Sequence, residues 1–467
     1  MNDSTNMTPG TKPKINWFSP LLPDRTDIAH YTYRILPALA AHFEVTLWAP
    51  ERCEFKPYHD APIDDAHLNQ QQRAAQKLQV CIAEHDIRVK FFNPAEPDWY
   101  TLNSADLTFY NIGNNRHFHS EIWQISQLKP GIVIMHDHCV FHLIVGALLE
   151  EHRDQQGLEN LCRKHYGPKS VLDFDRYWNN DPHKPTVEDL ARAYPFDGAC
   201  VTNATAIITH TQVAADKLRH YERPLLQLPL PYDIADTLPD RTALYDKPTQ
   251  FELVIFGYLG TNRRVIEFLN AFAQHPHREA FRLRIFGEIW NPKLLTECLK
   301  EHSLAERVTI EGFVEDETLD NALRNAHLVI NLRYPSMGEA SGSQLRLWNA
   351  GLPSLVTNVG YYATLPDDAV IKIDIENEAV EIQKALTRLL ETPEQIAALG
   401  VNGFNYLRHH HQANDYAVSL KQFTDSIDLR GALIDNYAES TRQLGTDPTY
   451  RQTVIANSIA ELVNIDG

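Results

Sequence analysis

The stretch GEASGSQLRLWNAGLPSLVTNVG, Gly338 to Gly360, sets a lone carboxylate, two small hydroxyls and two glycines directly after an apolar run. Two kinds of chemistry fit. Ser341 and Gln344 match a Ser-x-x-Gln capping box, which would only start a helix. The same helix start carries free backbone N–H groups and the positive end of the dipole, which together hold an anion. A second group lies in FGYLGTNRR, where the Gly257–Gly260 turn is followed by Arg263 and Arg264. A planar guanidinium fork suits phosphate oxygens. A cation at a helix start opposes the dipole, so this placement argues for a role beyond a solvated surface, with Arg263 the stronger candidate. A third group is MHDH at the end of an apolar run. If the strand continues, His136 and His138 share one face and Asp137 takes the other. A metal site needs a third ligand, which the sequence does not place, so no metal is expected. Two readings remain for the histidines, hydrogen bonding to a ligand or satisfied burial. GNN, Gly113 to Asn115, has the composition of a tight turn. His409 to His411 belong to a helix C-terminus.

Bulk properties bound what these groups serve. The chain has 467 residues, enough for two or three domains, and is 43% hydrophobic, enough for large cores. A net charge of −18 argues against a nucleic-acid partner, which would select a basic face. A local basic patch for peripheral membrane contact stays compatible with it. The six cysteines form no Cys-x-x-Cys pair and several lie in apolar runs, which predicts buried, reduced thiols and a cytoplasmic setting. The polar N-terminus lacks the apolar centre of a signal peptide, and no run approaches the ~20 apolar residues of a membrane span.

The elements that must position these groups alternate. Residues 1–13 read as a disordered leader. KINWF, EVTLWAP, IRVKFF, LTFYNIG, GIVIMHD and ATAIITHT read as strands, with helices between them. Pro37 should kink or break the first helix. Such alternation implies parallel strands covered on both faces. Residues 14–227 thus form a first Rossmann-like domain, with a helical insertion at about 158–199. Leu228 to Gln250 lacks periodicity and carries several prolines, which predicts an interdomain linker. A second α/β domain follows over 251–410, from FELVIFG through HLVINLRY to AVIKID. Residues 411–467 read as C-terminal helices, including the amphipathic YRQTVIANSIAELV, suited to packing on the body or to meeting a partner enzyme or a second copy of the chain.

Two doubly wound domains place a cleft between two sets of strand ends, where ligands of open sheets bind. Here the motifs become familiar. FGYLGTNRRVIEFLNAF and NLRYPSMGEASGSQLRLWNAGLPSLVTNVGYYATLPDD resemble the donor-binding signature of family-4 glycosyltransferases, which have the GT-B fold. WFSPLLP, YNIGNN and IVIMHDH are similar to the N-terminal domains of a bacterial branch. The resemblance covers most of residues 14–427. It implies a retaining, metal-independent hexosyltransferase in bacterial polysaccharide or lipopolysaccharide assembly, at or near the inner face of the membrane. Its donor would be a nucleotide diphosphate sugar, its acceptor a glycan or lipid-linked glycan, and no cofactor is implied. Gly257, Gly260, Arg263, Arg264 and the N–H groups of Ala340, Ser341, Gly342 and Ser343 would hold the donor. Glu339, His136 and Asp137 would be catalytic, with Asn114 and His138 on the acceptor side. The family commonly has a second glutamate eight positions after the first. Here that position is Leu347, and counting back from AGLP places Arg346 there, in a loop one residue shorter. Arg346 then pairs with phosphate or with Glu339, or is an exposed helix residue.

Two other classes share the architecture. A nucleotide-sugar epimerase would need further acid/base carboxylates, and none stands out. A degenerate, non-catalytic module that binds glycan or a partner enzyme would explain the missing glutamate.

Overall fold

The computed structural model describes residues 12–55 and 69–428. The chain divides into two compact units. The first comprises the described residues up to Pro231 together with those from Ala413 to Asp428, and the second is Tyr232–Gln412.

In the first unit β1 (Lys14–Phe18), β2 (Glu44–Pro50), β3 (Arg88–Phe92), β4 (Leu107–Ile112), β5 (Ile132–Met135), β6 (Ala206–Thr209) and β7 (Leu225–Gln227) form one sheet in the order β3-β2-β1-β4-β5-β6-β7. All pairings are parallel. The central strands β1 and β4 are buried at all but their first positions, because helices cover both faces. β5 and β6 are buried at every position. In the second unit β8 (Phe251–Phe256), β9 (Phe281–Phe286), β10 (Val308–Gly312), β11 (Leu328–Asn331), β12 (Ser354–Thr357) and β13 (Ile371–Ile373) form a parallel sheet in the order β10-β9-β8-β11-β12-β13. Each sheet reverses its order beside its first strand, at β1/β4 and at β8/β11. Such a reversal opens a crevice at the strand C-terminal ends. Each unit is therefore doubly wound, as the alternation predicts.

Several expectations need correction. The helix Asp27–His42 runs unbroken through Pro37. Pro37 lies on the exposed face, while Ile35, Leu36, Ala38 and Leu39 are buried. The carbonyl freed by the missing N–H can turn to water there, and burial of the opposite face holds the helix together. β7 is too short, at three residues, to show a periodicity. The chain leaves the first unit between Pro231 and Tyr232, and most of the aperiodic segment 228–250 belongs to the second. Burial of Arg241 anchors it there: its guanidinium donates to the carbonyls of Arg324 (2.9 Å) and Ala326. The helix Ala413–Ser426 packs on Asp27–His42 of the first unit, so it is not an appendage of the second. Lys12 and Pro13, assigned to the leader, are ordered, and Pro13 accepts from the Glu44 N–H at 2.9 Å. The region 158–199 is helical, with helices at Gln155–Tyr166, Pro168–Trp178, Val187–Ala193 and Gly198–Val201. The rest of the leader and the amphipathic tail lie outside the described residues.

All six cysteines are buried, and none is joined to another in a disulfide. No described helix is long and apolar enough to cross a membrane.

Candidate functional site

The strongest constellation sits where β8 and β11 part. β8 ends at Phe256, and Gly257 follows with φ 120°, which an L side chain rarely adopts. The turn returns through Gly260, where an added Cβ would come within 3.0 Å of the Trp290 ring. Arg263 then points back beneath the sheet edge. Its side chain is buried and Nη2 donates to the Phe256 carbonyl (3.1 Å) and to Asn331 Oδ1 (3.2 Å) at the end of β11. A buried guanidinium is retained only where its donors are met. Arg264, at φ 55°, caps the helix Val265–Ala273 and turns elsewhere. It makes a two-pronged bond to Glu378 (3.1 and 2.5 Å) and a 2.9 Å ion pair with Glu267. Those carboxylates answer the unfavourable placement of positive charge at a helix start. The structure therefore separates the two arginines: Arg263 lies at the strand reversal and Arg264 is bound to acidic neighbours.

The loop after β11 leads into the helix Gly342–Asn349. Ser341 is its N-cap, accepting from the Gln344 N–H at 3.1 Å and from the Tyr362 hydroxyl at 2.9 Å. The reciprocal half of the capping box is absent. Gln344 is buried, and its Oε1 accepts from Asn331 Nδ2 and Ser354 Oγ, both at 3.0 Å. Asn331 thus ties Arg263 to the helix start. Ser343 Oγ adds bonds to Ser341 Oγ (3.0 Å) and Asn331 Oδ1 (3.4 Å). Among the described residues the N–H groups of Gly342 and Ser343 meet no acceptor. Ala340 is half-buried beside them. The result is a helix N-terminus with open donors, backed by a cation.

Glu339 does not stand alone. Its Oε1 is paired with Arg333 Nη1, and its Oε2 accepts from the Met337 N–H at 2.7 Å. Arg333 is the residue that sequence reasoning missed here. It lies two positions past β11, and its own N–H is fixed to Thr357 Oγ1 at 3.0 Å. The signal was an arginine inside the block that carries the resemblance. Arg346 faces away from Glu339. Its guanidinium bonds Asp320 (2.6 and 3.2 Å) and Asp316 (3.2 Å) on the helix Asp316–Asn325, so its charge is met by carboxylates of its own unit.

The first unit gathers a separate group at the C-terminal ends of β5 and β6. β5 stops at Met135, so the alternation assumed for MHDH does not apply. His136 is buried and its Nε2 meets Asn111 Oδ1 at 3.0 Å. Its ring lies 4.7 Å from both Tyr31 and His210. Burial lowers the basicity of all three buried histidines nearby: His136 falls well below the ordinary range, and His119 and His210 to about 4. His136 and His210 therefore stand neutral at neutral pH. Asp137 and His138 are half-buried. Asp137 Oδ2 accepts from the Asn114 N–H at 2.8 Å, and Asn114 Oδ1 accepts from the His142 N–H at 2.8 Å. These bonds brace the loops after β4 and β5. His210, Tyr31 and Tyr416 were not foreseen. His210 follows β6 directly as His136 follows β5, a parallel that ATAIITHT displays. Tyr416 comes from the helix Ala413–Ser426, and its hydroxyl meets that of Tyr31 at 2.7 Å. Among the described residues no group of three or more His, Cys, Asp or Glu is arranged to hold a metal ion.

Residues 240–406 match the family described as Glycosyl transferases group 1. No curated protein matches the chain in sequence. Solved structures resemble it in fold. Anabaena HepE in complex with UDP is 13% identical with a TM-score of 0.56, over 89% of this chain and 100% of that one. Sucrose-phosphate synthase from Thermosynechococcus elongatus is 14% identical with a TM-score of 0.55, over 89% and 98%. WaaG, a glycosyltransferase involved in lipopolysaccharide biosynthesis, is 16% identical with a TM-score of 0.50, over 86% and 98%. At such identities the likeness is one of fold, and the fold is GT-B. The segment that matches this family, 240–406, lies within the second unit. Together the fold and the family match support a GT-B glycosyltransferase.

Proposed function

We propose that the chain is a retaining glycosyltransferase that moves a hexose from a nucleotide diphosphate sugar to a glycan or lipid-linked acceptor. The observation that carries this reading is the convergence of buried Arg263 and the open N–H groups of Gly342 and Ser343 at the β8/β11 reversal. A diphosphate gains charge as it leaves. Donors already aimed at it stabilise that charge without reorganising. The bond from the sugar's anomeric carbon to the phosphate oxygen breaks, and one to the acceptor oxygen forms on the same face. The departing phosphate oxygen takes the acceptor's proton. Glu339, held at both oxygens, accepts hydrogen bonds from sugar hydroxyls. His136 and Asp137, with Asn114 and His138, serve the acceptor side through the loops they brace. The dipole and Arg263 take the role that a divalent cation has elsewhere, so the reaction needs no metal or cofactor. HepE, described in complex with UDP and glucose, and WaaG suggest a uridine nucleotide and polysaccharide or lipopolysaccharide assembly at the inner face of the membrane. The test is incubation with UDP-glucose, with and without EDTA, and NMR of the product. An α-linked product formed equally in both supports the reading. An inverted product, or loss of transfer with EDTA, overturns the retaining or metal-independent part.

A further inference from the structure

A carboxylate close to an anion seat is a competitor for it. Glu339 lies two residues ahead of the Ser341 cap, and the helix that follows offers the open N–H groups of Gly342 and Ser343. The positive end of a helix attracts a carboxylate from its own chain as readily as a bound anion. Glu339 nevertheless points into its own loop. Arg333 Nη1 holds Oε1 and the Met337 N–H holds Oε2. Both side chains are largely shielded, at 19% and 14% exposure, so water screens this pair less than a surface one. The anchor itself is rigid. Arg333 lies two residues past β11, and its N–H is fixed to Thr357 Oγ1 at the end of β12.

We propose that Arg333 keeps Glu339 off the helix N-terminus. The pair divides the loop by charge. The N–H groups stay open to a diphosphate, and the carboxylate stays beside the position of the sugar. Arg333 is thus a positioning residue, acting through Glu339. This rests on the donor-site reading above. It predicts an unusual pattern, in which removing a cation weakens anion binding and removing a nearby anion restores it.

The experiment is a calorimetric titration with UDP, GDP and ADP of the full chain and four variants. Arg333→Met should bind its preferred nucleoside diphosphate about tenfold more weakly, because a freed Glu339 competes for the seat, at roughly 1.4 kcal/mol per factor of ten. Glu339→Gln alone should bind at least as well as the unsubstituted protein. Arg333→Met with Glu339→Gln should return to within about threefold of it, since the competing charge is gone. Arg333→Lys keeps the cation and should stay within about threefold. Persistent weakness in the double variant would overturn the proposal, because Arg333 would then touch the phosphate or support the fold. Unchanged binding in Arg333→Met would overturn it as well. If the unsubstituted protein binds none of the three nucleotides, the donor-site reading falls and takes this inference with it.

Discussion

In the proposed reaction a single residue, Glu339, serves the transferring sugar. Both its oxygens are held, by Arg333 and by the Met337 N–H. Glu339→Gln keeps shape and one acceptor but loses the charge. Turnover is expected to fall by about an order of magnitude or more with the thermal midpoint nearly unchanged, since the interaction removed is made in the transition state. Near-normal transfer by that variant would remove Glu339 from the reaction. The buried histidines make a second prediction. His119 and His210 are neutral when folded, with pKa values lowered by burial to about 4, and His136 is lowered in the same sense. The unfolded chain binds protons near pH 6.5, before the folded one does. Stability should therefore be full above that pH and drain as pH falls toward 4. The loss should be on the order of 2 kcal/mol each for His119 and His210 by pH 5, with His136 adding in the same direction. Urea unfolding across this range checks it. His210→Phe should flatten the slope, and an unchanged slope would show that His210 is not among the groups responsible.

At the scale of elements, the helix Ala413–Ser426 is fastened to Asp27–His42 by a pair of buried hydroxyls, Tyr31 and Tyr416. Removing one partner strands the other. Tyr416→Phe and Tyr31→Phe should each cost about 1–3 kcal/mol, while the double substitution should cost less than their sum. Denaturant midpoints for the four proteins decide it, and simple additivity would contradict a direct bond. The helix Gly342–Asn349 offers a sharper cut. Its cap Ser341 has φ −105° and ψ 100°, an extended conformation outside the helical region that a following proline disfavours. Gly342→Pro therefore removes one N–H from the proposed seat while leaving a residue that suits the first helical position. Nucleoside diphosphate affinity should drop by roughly tenfold, the value of one hydrogen bond to a charged group. Secondary structure by circular dichroism should be retained. Unaltered affinity would mean that this N–H does not face the ligand.

At the scale of the whole chain, the two doubly wound sheets were legible because parallel strands covered on both faces must be apolar runs, and helices must punctuate them. What escaped were matters of partnership. β7 has three residues, too few for a period. Pro37 reads as a breaker, but it falls on the exposed face of a helix held by its buried side. The aperiodic segment before Phe251 looks detached, yet Arg241 finds carbonyls 83 and 85 residues away in sequence. The helix Ala413–Ser426 follows the second unit in sequence but packs in the first, which only long-range contacts reveal. In the candidate site the residue types were readable and their partners were not. Gln344 looks like a cap partner and instead lies in the core with Asn331 and Ser354. Arg346 stands where the resemblance expects a ribose-binding carboxylate, but Asp316 and Asp320 take its charge. Arg333 became visible only once Glu339 had a position.

The central claim is that the C-terminal edge of the second sheet holds a nucleoside diphosphate between Arg263 and the start of the Gly342–Asn349 helix. The most direct test is a calorimetric titration of the unsubstituted protein with UDP, GDP and ADP, repeated with Gly342→Pro. At least one of them should bind saturably, at about one site per chain, with the roughly tenfold loss on substitution expected for one charged hydrogen bond. No binding of any of the three, or binding that Gly342→Pro leaves untouched, would contradict it.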